Sequence, residues 1–384
     1  MVKPRVAIVG VGQTKCESKK KDVFYDIVYE AASKALQDAG MERSELDTVI
    51  EAGDDVADGR TISNMHTCTS AGGFLKDESR CAEDGTFSLA YAYMRLASGL
   101  HDTAMVTGIG TTESPFELVT NYAFDHLFTR GFGLSWVTSF AMHANGYMKA
   151  AGVTEKQAAK VVVKNRRNGA KNPYAHLRKA VTLNEALRSP MVSYPLKKLD
   201  LPPSSSGACA VVLASSEYVK RITDKPVWID GLAWNVGSYY FQDAEPGELL
   251  PLRWASERAY KMAGIENPLR DLQVAELHDI TSYHELMEYE ALKLCDKGCG
   301  GATIDKMDSD GRIGELAVNP SGGALSSHPH HAAGLFRVAE AALQLRGEAG
   351  KHQVKGVKKA LAHGITHIAG AASMGHGVVI LSKD

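Results

Sequence analysis

The second half of this chain repeats a pattern of the first half, and this repeat is the feature that most limits its possible folds. Residues 31–51 contain an alanine-rich helical segment, an Ala-Gly turn and then a strand that ends in glutamate. Residues 255–276 contain the same three features in the same order. Each copy follows a short apolar strand, Val6–Val9 in the first copy and Val227–Ile229 in the second. A strand–helix–strand unit that occurs twice predicts an α/β protein built from two similar halves that pack together.

The first half contains an additional segment. Length suggests two or three domain-sized units, and we predict an N-terminal half over residues 1–222 and a C-terminal half over residues 223–384. Residues from about 111 to 200 interrupt the alternation of strands and helices, and we interpret them as an inserted helical loop domain. The basic block within it, residues 164–171, is typical of a solvated helix face, but its charges could also bind phosphate groups.

Composition and charge exclude several classes of function. The formal net charge of −2 does not indicate a nucleic-acid or membrane surface. The N-terminus lacks the apolar core and cleavage site of a signal peptide, and no stretch is long and apolar enough to span a bilayer. The six cysteines are scattered, which favours a reducing compartment over a disulfide framework. We therefore predict a cytoplasmic protein that binds neither nucleic acid nor a membrane.

One cysteine precedes the most apolar helix of the first half. Residues 88–99 are apolar on nearly every side and end at Gly99, which predicts a buried helix with a glycine cap. Cys81 is expected at or just before the N-terminus of this helix, next to Arg80. The helix dipole and a neighbouring guanidinium both favour the thiolate over the thiol. Cys81 is thus a candidate nucleophile, although an isolated cysteine is more often a small buried hydrophobic residue.

The second half supplies candidate bases for such a nucleophile. His278 is predicted where a strand ends and a helix begins, and His328, His330 and His331 lie in a Gly- and Ser-rich loop. A thiolate beside a histidine base is the usual pairing in covalent acyl transfer. Each histidine alone could instead be a buried, hydrogen-bonded imidazole. We expect no metal site, because three closely spaced rings after a proline rarely converge and no carboxylate or cysteine lies alongside.

Several motifs, taken in this order and spacing, match a known family. They are Cys81 with its helix, residues 163–175, residues 203–208, His278-Asp279, residues 319–323 with His328-Pro329, and residues 344–351. Over essentially its whole length the chain resembles the thiolase superfamily, and within it the archaeal and sterol-carrier-like branch.

This resemblance implies a five-layered αβαβα thiolase fold of two duplicated halves, with the loop domain covering coenzyme A. It implies that Cys81 takes the acyl group as a thioester. His328 would accept the Cys81 proton and later serve the incoming coenzyme A thiol, and His278 would stabilise the thioester oxygen as it becomes an enolate. A second oxyanion hole would use the main-chain N–H groups of Cys81 and of Gly370. Carbon–carbon cleavage leaves a carbanion, so fixed donors are needed where the charge develops.

The chain also departs from the pattern of this branch. Ile280 replaces an acid/base cysteine, and the C-terminal acid/base cysteine of ordinary thiolases is absent too. The loop before His328 is one residue shorter than usual, and His331 replaces a glycine after it. We expect a histidine to take over the acid/base step, with His330 and His376 as auxiliary candidates besides His328. The altered loop favours a bulky, branched or aromatic 3-oxoacyl group, as in benzoylsuccinyl-CoA thiolases.

We therefore predict a CoA-dependent thiolase, a 3-oxoacyl-CoA C-acyltransferase that acts through an S-acyl-cysteine. Coenzyme A is a substrate, and no other cofactor is expected. One alternative is an acetyl-CoA C-acetyltransferase that forms acetoacetyl-CoA. Another is a catalytically silent subunit that binds acyl-CoA or serves as a scaffold.

The resemblance also implies phosphate contacts and protein partners. The residues expected to contact the phosphates of coenzyme A are Lys164, Arg166, Arg167 and Lys171. We expect a homodimeric core and a small partner protein with a zinc ribbon and an oligonucleotide-binding-type barrel (DUF35-type).

Overall fold

The fold was analysed in a computed structural model, which describes residues 4–82, 84–112, 120–121, 124–238, 245, 247–366 and 374–383. Its strands are β1 (Val6–Gln13), β2 (Thr48–Gly53), β3 (Asp77–Ala82), β4 (Thr103–Gly110), β5 (Met191–Ser193), β6 (Leu196–Lys197), β7 (Gly207–Ser215), β8 (Val227–Val236), β9 (Val274–Glu276), β10 (Arg312–Ile313), β11 (Leu316–Val318), β12 (Lys359–Ile365) and β13 (Gly375–Ser382). Its α-helices are α1 (Phe24–Ala39), α2 (Asp55–Asp58), α3 (Ser63–Thr67), α4 (Gly85–Ala97), α5 (Trp136–Ala151), α6 (Glu155–Gly169), α7 (Leu183–Arg188), α8 (Ser216–Ile222), α9 (Leu250–Ala263), α10 (Pro268–Asp271), α11 (Ser282–Ala291), α12 (Gly300–Lys306), α13 (Gly323–Ser326) and α14 (Ala333–Arg346).

The main sheet has the same strand order in both halves of the chain. Its eleven strands follow the order β10-β11-β9-β12-β13-β8-β1-β7-β4-β2-β3. In the first half β3, β2 and β4 pair in parallel, and β7 pairs antiparallel with both β4 and β1. In the second half β11, β9 and β12 pair in parallel, and β13 pairs antiparallel with both β12 and β8. The duplication predicted from the repeat is therefore confirmed, and β1 and β8 join the halves antiparallel at Ala7 and Trp228.

Three apolar clusters divide the molecule into five layers. The first lies between α1 and the outer face of the first half-sheet, and the second surrounds α4 and α14 between the half-sheets. The third lies between the outer face of the second half-sheet and α9 and α11. The two central helices approach closely, because a Cβ added to Gly85 would lie 2.6 Å from the Cβ of Leu335. The layer order α, β, α, β, α confirms the predicted fold class.

The inserted segment packs on the second half. Phe140, Tyr147 and Val161 of helices α5 and α6 belong to the same apolar cluster as α11, and the Tyr147 hydroxyl donates to Glu290. Helix α6 also contacts α12 and α13. This packing brings the polar face of α6 beneath the loop that carries His328.

The described residues agree with the predicted helix after Cys81 to within a few residues. Helix α4 starts at Gly85, and its last turn is capped by Ser98, one residue before the left-handed Gly99. Among the described helices, none has the length and apolar character required to cross a bilayer.

Candidate active site

His278 is fixed by two hydrogen bonds to strand β12. The residue lies in the connection between β9 and α11 and has no solvent exposure. The N–H of Ile365 donates to His278 Nδ1 at 3.1 Å. The main-chain N–H of His278 donates to the Nδ1 of His363 at 3.4 Å. Strand β12 thus orients both the ring and the main chain of His278.

His328 is bound to a segment of the first half. Its N–H donates to Ser205 Oγ at 3.3 Å, and the N–H of Ser205 donates to the carbonyl of His328 at 3.2 Å. The neighbouring Ser204 contacts His330 through Oγ and Nε2, 3.1 Å apart. The serine run before β7, which the sequence analysis used only as part of a family motif, therefore positions this histidine loop.

The structure brings His278 and His328 together. Their Nε2 atoms lie 3.1 Å apart, and their ring centroids are separated by 5.2 Å. Because the Nδ1 of neutral His278 accepts from Ile365, its proton is on Nε2 and points to His328. The Nε2 of His328 must then accept, so this ring carries its proton on Nδ1. The pair therefore combines a hydrogen-bond donor on His278 with a basic nitrogen on His328.

Asp279 binds the loop that follows β11. Its carboxylate accepts from the N–H groups of Ala324 and Leu325 at 2.5 and 3.2 Å, and from the Asn165 side chain at 2.7 Å. A Cβ at Gly323, whose φ is +65°, would overlap this carboxylate. Burial and the neighbouring Glu285 raise the pKa of Asp279 above its ordinary value. Asp279 thus serves to hold the loop and is not available as a solvent-exposed base.

Two asparagines of helix α6 and a third just after its C-terminus support the same loop, and the sequence analysis did not single them out. Asn165 also donates to Glu285, Asn168 donates to the carbonyl of Asn319, and Asn172 donates to the carbonyl of Ser321. All of these contacts connect residues more than a hundred positions apart, and no local pattern in the sequence reveals them.

The four predicted phosphate-binding residues separate into two groups. Lys164 is 5% exposed and forms an ion pair with Glu285 at 2.5 Å, while Arg166 is 8% exposed and donates to the carbonyl of Lys179. Arg167 is exposed and donates to the carbonyl of Ser309, and Lys171 forms an ion pair with Asp310 at 3.2 Å. Of this set, Arg167 and Lys171 carry their charge at the surface of the inserted segment.

Cys81 lies in the edge strand β3, three residues before Asp84, the N-cap of α4. Its neighbour Arg80 forms an ion pair with Asp55 and donates to Ser63 at 3.1 Å. Successive side chains of a strand point to opposite faces, so this guanidinium lies on the face away from the thiol. Arg80 is thus bound to Asp55 and Ser63, and its expected effect on the Cys81 thiol stays a prediction.

Cys81 and the loop that carries His328 lie at the same end of the sheet, where the carboxyl ends of its parallel strands meet. Strands β2, β3 and β4 are parallel, so their carboxyl ends meet at one edge. There a Cβ on Gly108 would lie 3.1 Å from the Cα of Ala332, and Gly110 faces Pro329 even more closely. Ala52 of β2 pairs with both Gly108 and Cys81. Cys81 is thus two strand spacings, roughly 10 Å, from Gly108 along the sheet.

The three remaining predicted site residues are His330, His376 and Gly370, and only His330 is described next to His328. His330 is 6% exposed, has a φ of +38°, and its ring centroid lies 5.4 Å from that of His328. His376 is fully buried and its Nδ1 lies 2.9 Å from the Nε2 of His363. Gly370 lies outside the described residues. Within the described part of the chain, no group of three or more His, Cys, Asp or Glu side chains has an arrangement that could hold a metal ion.

The chain is similar to several known proteins. The family model "Thiolase C-terminal domain-like" matches residues 237–383. The chain is 32% identical to an acetyl-CoA acetyltransferase of Methanothermobacter thermautotrophicus, over 96% of this chain and 98% of the relative. It is 30% identical to the benzoylsuccinyl-CoA thiolase subunit BbsB of Thauera aromatica, over 95% and 94% of the two chains. The solved structure of an Ltp2-ChsH2(DUF35) aldolase is similar with a TM-score of 0.83 and 25% identity, covering 100% of this chain and 99% of the other.

Proposed function

The chain belongs to the thiolase superfamily and is an acyltransferase acting on acyl-CoA, and we propose that it cleaves a 3-oxoacyl-CoA through an S-acyl intermediate on Cys81. The observation that carries this proposal is the His278–His328 pair, whose Nε2 atoms lie 3.1 Å apart and in which the Ile365 N–H makes His278 the donor and His328 the acceptor. Acyl transfer to and from a thiol needs one group of each kind.

In the first half-reaction the thioester oxygen of the bound substrate replaces His328 as the acceptor of the His278 Nε2–H, so His328 Nε2 is available to accept the proton of the Cys81 thiol. The thiolate attacks the 3-oxo carbon, and the bond between carbons 2 and 3 breaks. The electron pair of that bond becomes the enolate of the departing acyl-CoA, whose oxygen accepts the Nε2–H of His278. The main-chain N–H groups of Cys81 and Gly370 are the proposed donors to the oxygen of the 3-oxo carbon. These donors matter because the charge develops in a site from which water is largely excluded.

The carbanion must then be protonated without the cysteine that other members of this branch use. Ile280, which replaces that cysteine, is 1% exposed and belongs to the apolar cluster of the second half. We propose that His328 returns the proton it took from Cys81 to carbon 2, which closes the proton balance of this half-reaction. In the second half-reaction His328 takes the proton of the coenzyme A thiol, the coenzyme A sulfur displaces the Cys81 thiolate from the acyl group, and His328 then returns the proton to Cys81. His330 is the auxiliary candidate because of its 5.4 Å ring distance to His328.

The acyl group is proposed to be bulky, branched or aromatic. This proposal is supported by the shortened loop before His328 and by the name of the BbsB relative, a benzoylsuccinyl-CoA thiolase subunit. The name of the acetyl-CoA acetyltransferase relative favours a second candidate, the condensation of two acetyl-CoA molecules to acetoacetyl-CoA. Condensation requires a base that removes a proton from the α-carbon of acetyl-CoA. The acid/base cysteine that would do this is replaced by Ile280, which makes condensation less favourable than cleavage.

We propose that Arg167 and Lys171 contact the phosphates of coenzyme A, because they are the members of the basic block with charge at the surface. A DUF35-type partner protein is proposed from the name of the similar aldolase complex. A homodimeric core and a cytoplasmic location are proposed as well.

The test is a set of coenzyme A-dependent cleavage assays with acetoacetyl-CoA, a branched 3-oxoacyl-CoA and an aromatic 3-oxoacyl-CoA, with and without a candidate DUF35-type protein. The proposal predicts two CoA thioester products, with the bulky substrates turned over faster than acetoacetyl-CoA. Faster turnover of acetoacetyl-CoA would favour the acetyltransferase candidate. Absence of turnover with every substrate and partner would support the silent acyl-CoA-binding subunit.

A further inference from the structure

A second group of buried ionisable side chains lies behind the His278–His328 pair. It consists of Glu288 and the four histidines His143, His284, His363 and His376, each 3% exposed or less. They come from helices α5 and α11 and strands β12 and β13. The mechanism proposed above assigns no chemical step to this cluster, which we call the histidine–glutamate cluster.

The cluster is connected to His278 through one ring nitrogen. The Nδ1 of His363 lies 3.4 Å from the main-chain N of His278 and 3.5 Å from a carboxyl oxygen of Glu288. Because the N–H of His278 is a donor, this Nδ1 must accept. His363 then carries its proton on Nε2, which donates to His376 Nδ1 at 2.9 Å. The tautomers of both rings follow from the main chain of His278.

The surrounding charges do not compensate an ionised Glu288. Three carboxyl groups, those of Asp279, Glu285 and Glu288, lie near one ammonium group, Lys164, and that ammonium forms an ion pair with Glu285. Asp279 accepts three N–H donors, whereas neither oxygen of Glu288 has a hydrogen-bond partner in the described part of the chain. A buried carboxylate without donors is strongly unfavourable.

The histidines of the cluster do not supply the missing positive charge. Burial lowers the pKa of His143, His284, His363 and His376 below the ordinary value, so these rings stay neutral. Burial and the charges of Asp279 and Glu285 raise the pKa of Glu288 well above its ordinary value. Burial and the two neighbouring carboxyl groups therefore favour an un-ionised Glu288 over the opposing effect of the Lys164 ammonium group.

We propose that Glu288 is an un-ionised carboxylic acid that leaves the one lone pair of His363 Nδ1 to the main-chain N–H of His278, so that Glu288 and His363 are positioning residues for His278. An ionised Glu288 would instead require a proton on Nδ1 of His363. That N–H would then face the N–H of His278 at 3.4 Å, and two donors facing each other repel. The protonation state of the Glu288 carboxyl group is thus coupled to the position of His278, the residue proposed to stabilise the enolate.

The carboxyl state is tested first, by infrared difference spectroscopy between the wild-type protein and Glu288→Gln. Glutamine matches the volume of glutamic acid and, like the un-ionised acid, carries no charge. The proposal predicts that the substitution removes the carbonyl band of an un-ionised carboxylic acid at neutral pH. Loss of carboxylate bands instead would overturn it. This measurement needs no substrate, so its result is independent of whether the proposed thiolase reaction is correct.

The effect on His278 rests on the proposed function and is tested with two substitutions of His363. The side-chain oxygen of His363→Asn can accept the N–H of His278, whereas His363→Leu has no acceptor. We expect kcat of His363→Asn to stay within about threefold of wild type and kcat of His363→Leu to fall roughly tenfold or more, because small displacements of a catalytic group slow the chemical step. The 15N resonances of the His278 ring should shift only in His363→Leu, because a displaced ring no longer makes the same hydrogen bonds with Ile365 and His328. Wild-type kcat in a folded His363→Leu protein would overturn the positioning role.

Discussion

The Nε2 atoms of His278 and His328 lie 3.1 Å apart, and the direction of the hydrogen bond between them is set by the main chain of strand β12. Ile365 donates to the opposite nitrogen of His278, so His278 must be the donor and His328 the acceptor. The two histidines come from connections after different strands of one half, while Ser205 binds His328 from the other half. The duplicated fold therefore provides both the pair and its orientation.

Removal of the donor on His278 should lower turnover more than replacement by another donor. We expect His278→Ala to reduce kcat by roughly a hundredfold to a thousandfold, which is typical for loss of one oxyanion-hole donor. His278→Gln retains an N–H group and should lose less. The comparison is made by steady-state kinetics with His126→Ala, an exposed histidine, as the control. Equal kcat values for His278→Ala and the control would remove His278 from the mechanism.

Ser205 should affect turnover through His328, and Ser204 should not. Ser205→Ala leaves the N–H of His328 without its acceptor, and we expect kcat to fall roughly tenfold, since loss of one hydrogen bond displaces the ring. The matched change Ser204→Ala removes only the contact with His330. A comparable loss in Ser204→Ala would instead assign His330 an essential part in the proton transfer.

Within the basic block, Lys164 should affect stability, whereas Arg167 and Lys171 should affect the binding of coenzyme A. Lys164→Met leaves Glu285 buried without its ion-pair partner, and we expect a loss of about 3–5 kcal/mol in the free energy of unfolding. Arg167→Ala and Lys171→Ala should leave that free energy within about 0.5 kcal/mol, since surface changes away from packed groups have small effects, and should raise the KM for coenzyme A.

Kinetics with dephospho-coenzyme A, which lacks the ribose phosphate, would show whether Arg167 and Lys171 contact that phosphate. If Arg167 or Lys171 binds that phosphate, the substitution should change the KM for coenzyme A and leave the KM for dephospho-coenzyme A unchanged. Equal KM values for coenzyme A in wild type and both variants would place the phosphate site elsewhere.

Glu51 should make the protein less stable as the pH rises. Burial on β2 and the nearby Glu78 raise the pKa of Glu51 from 4.5 to about 8, although Thr67 donates to it. The folded state therefore binds a proton that the unfolded state releases, and the resulting stabilisation is lost between pH 4.5 and about 8. Glu51→Gln lacks this titration. Its free energy of unfolding relative to wild type should increase by about 2–4 kcal/mol between acidic and alkaline conditions in urea denaturation. A constant difference would show that Glu51 is ionised in both states.

The sequence predicted the duplicated fold because the repeat at residues 31–51 and 255–276 marks equivalent strands of the two halves. It also indicated that His278 and His328 act together, but only through a family resemblance, since fifty residues separate them. It did not reveal that Arg80 forms an ion pair with Asp55, which is 25 positions away. The burial of Lys164 could not be predicted, because its partner Glu285 is 121 positions away (285 − 164). Glu288 and His363 were missed for the same reason: contacts of this kind arise from tertiary packing alone.

The central claim, an acyl group on Cys81, is tested most directly by intact-protein and peptide mass spectrometry after exposure to the three 3-oxoacyl-CoA substrates. The account predicts an adduct on the peptide that contains Cys81, absent in Cys81→Ser, retained in the matched control Cys299→Ser, and removed by free coenzyme A. The mass of the most abundant adduct would identify the preferred acyl group. Substrate cleavage without any adduct on Cys81, or an equal yield of adduct in Cys81→Ser, would contradict the account.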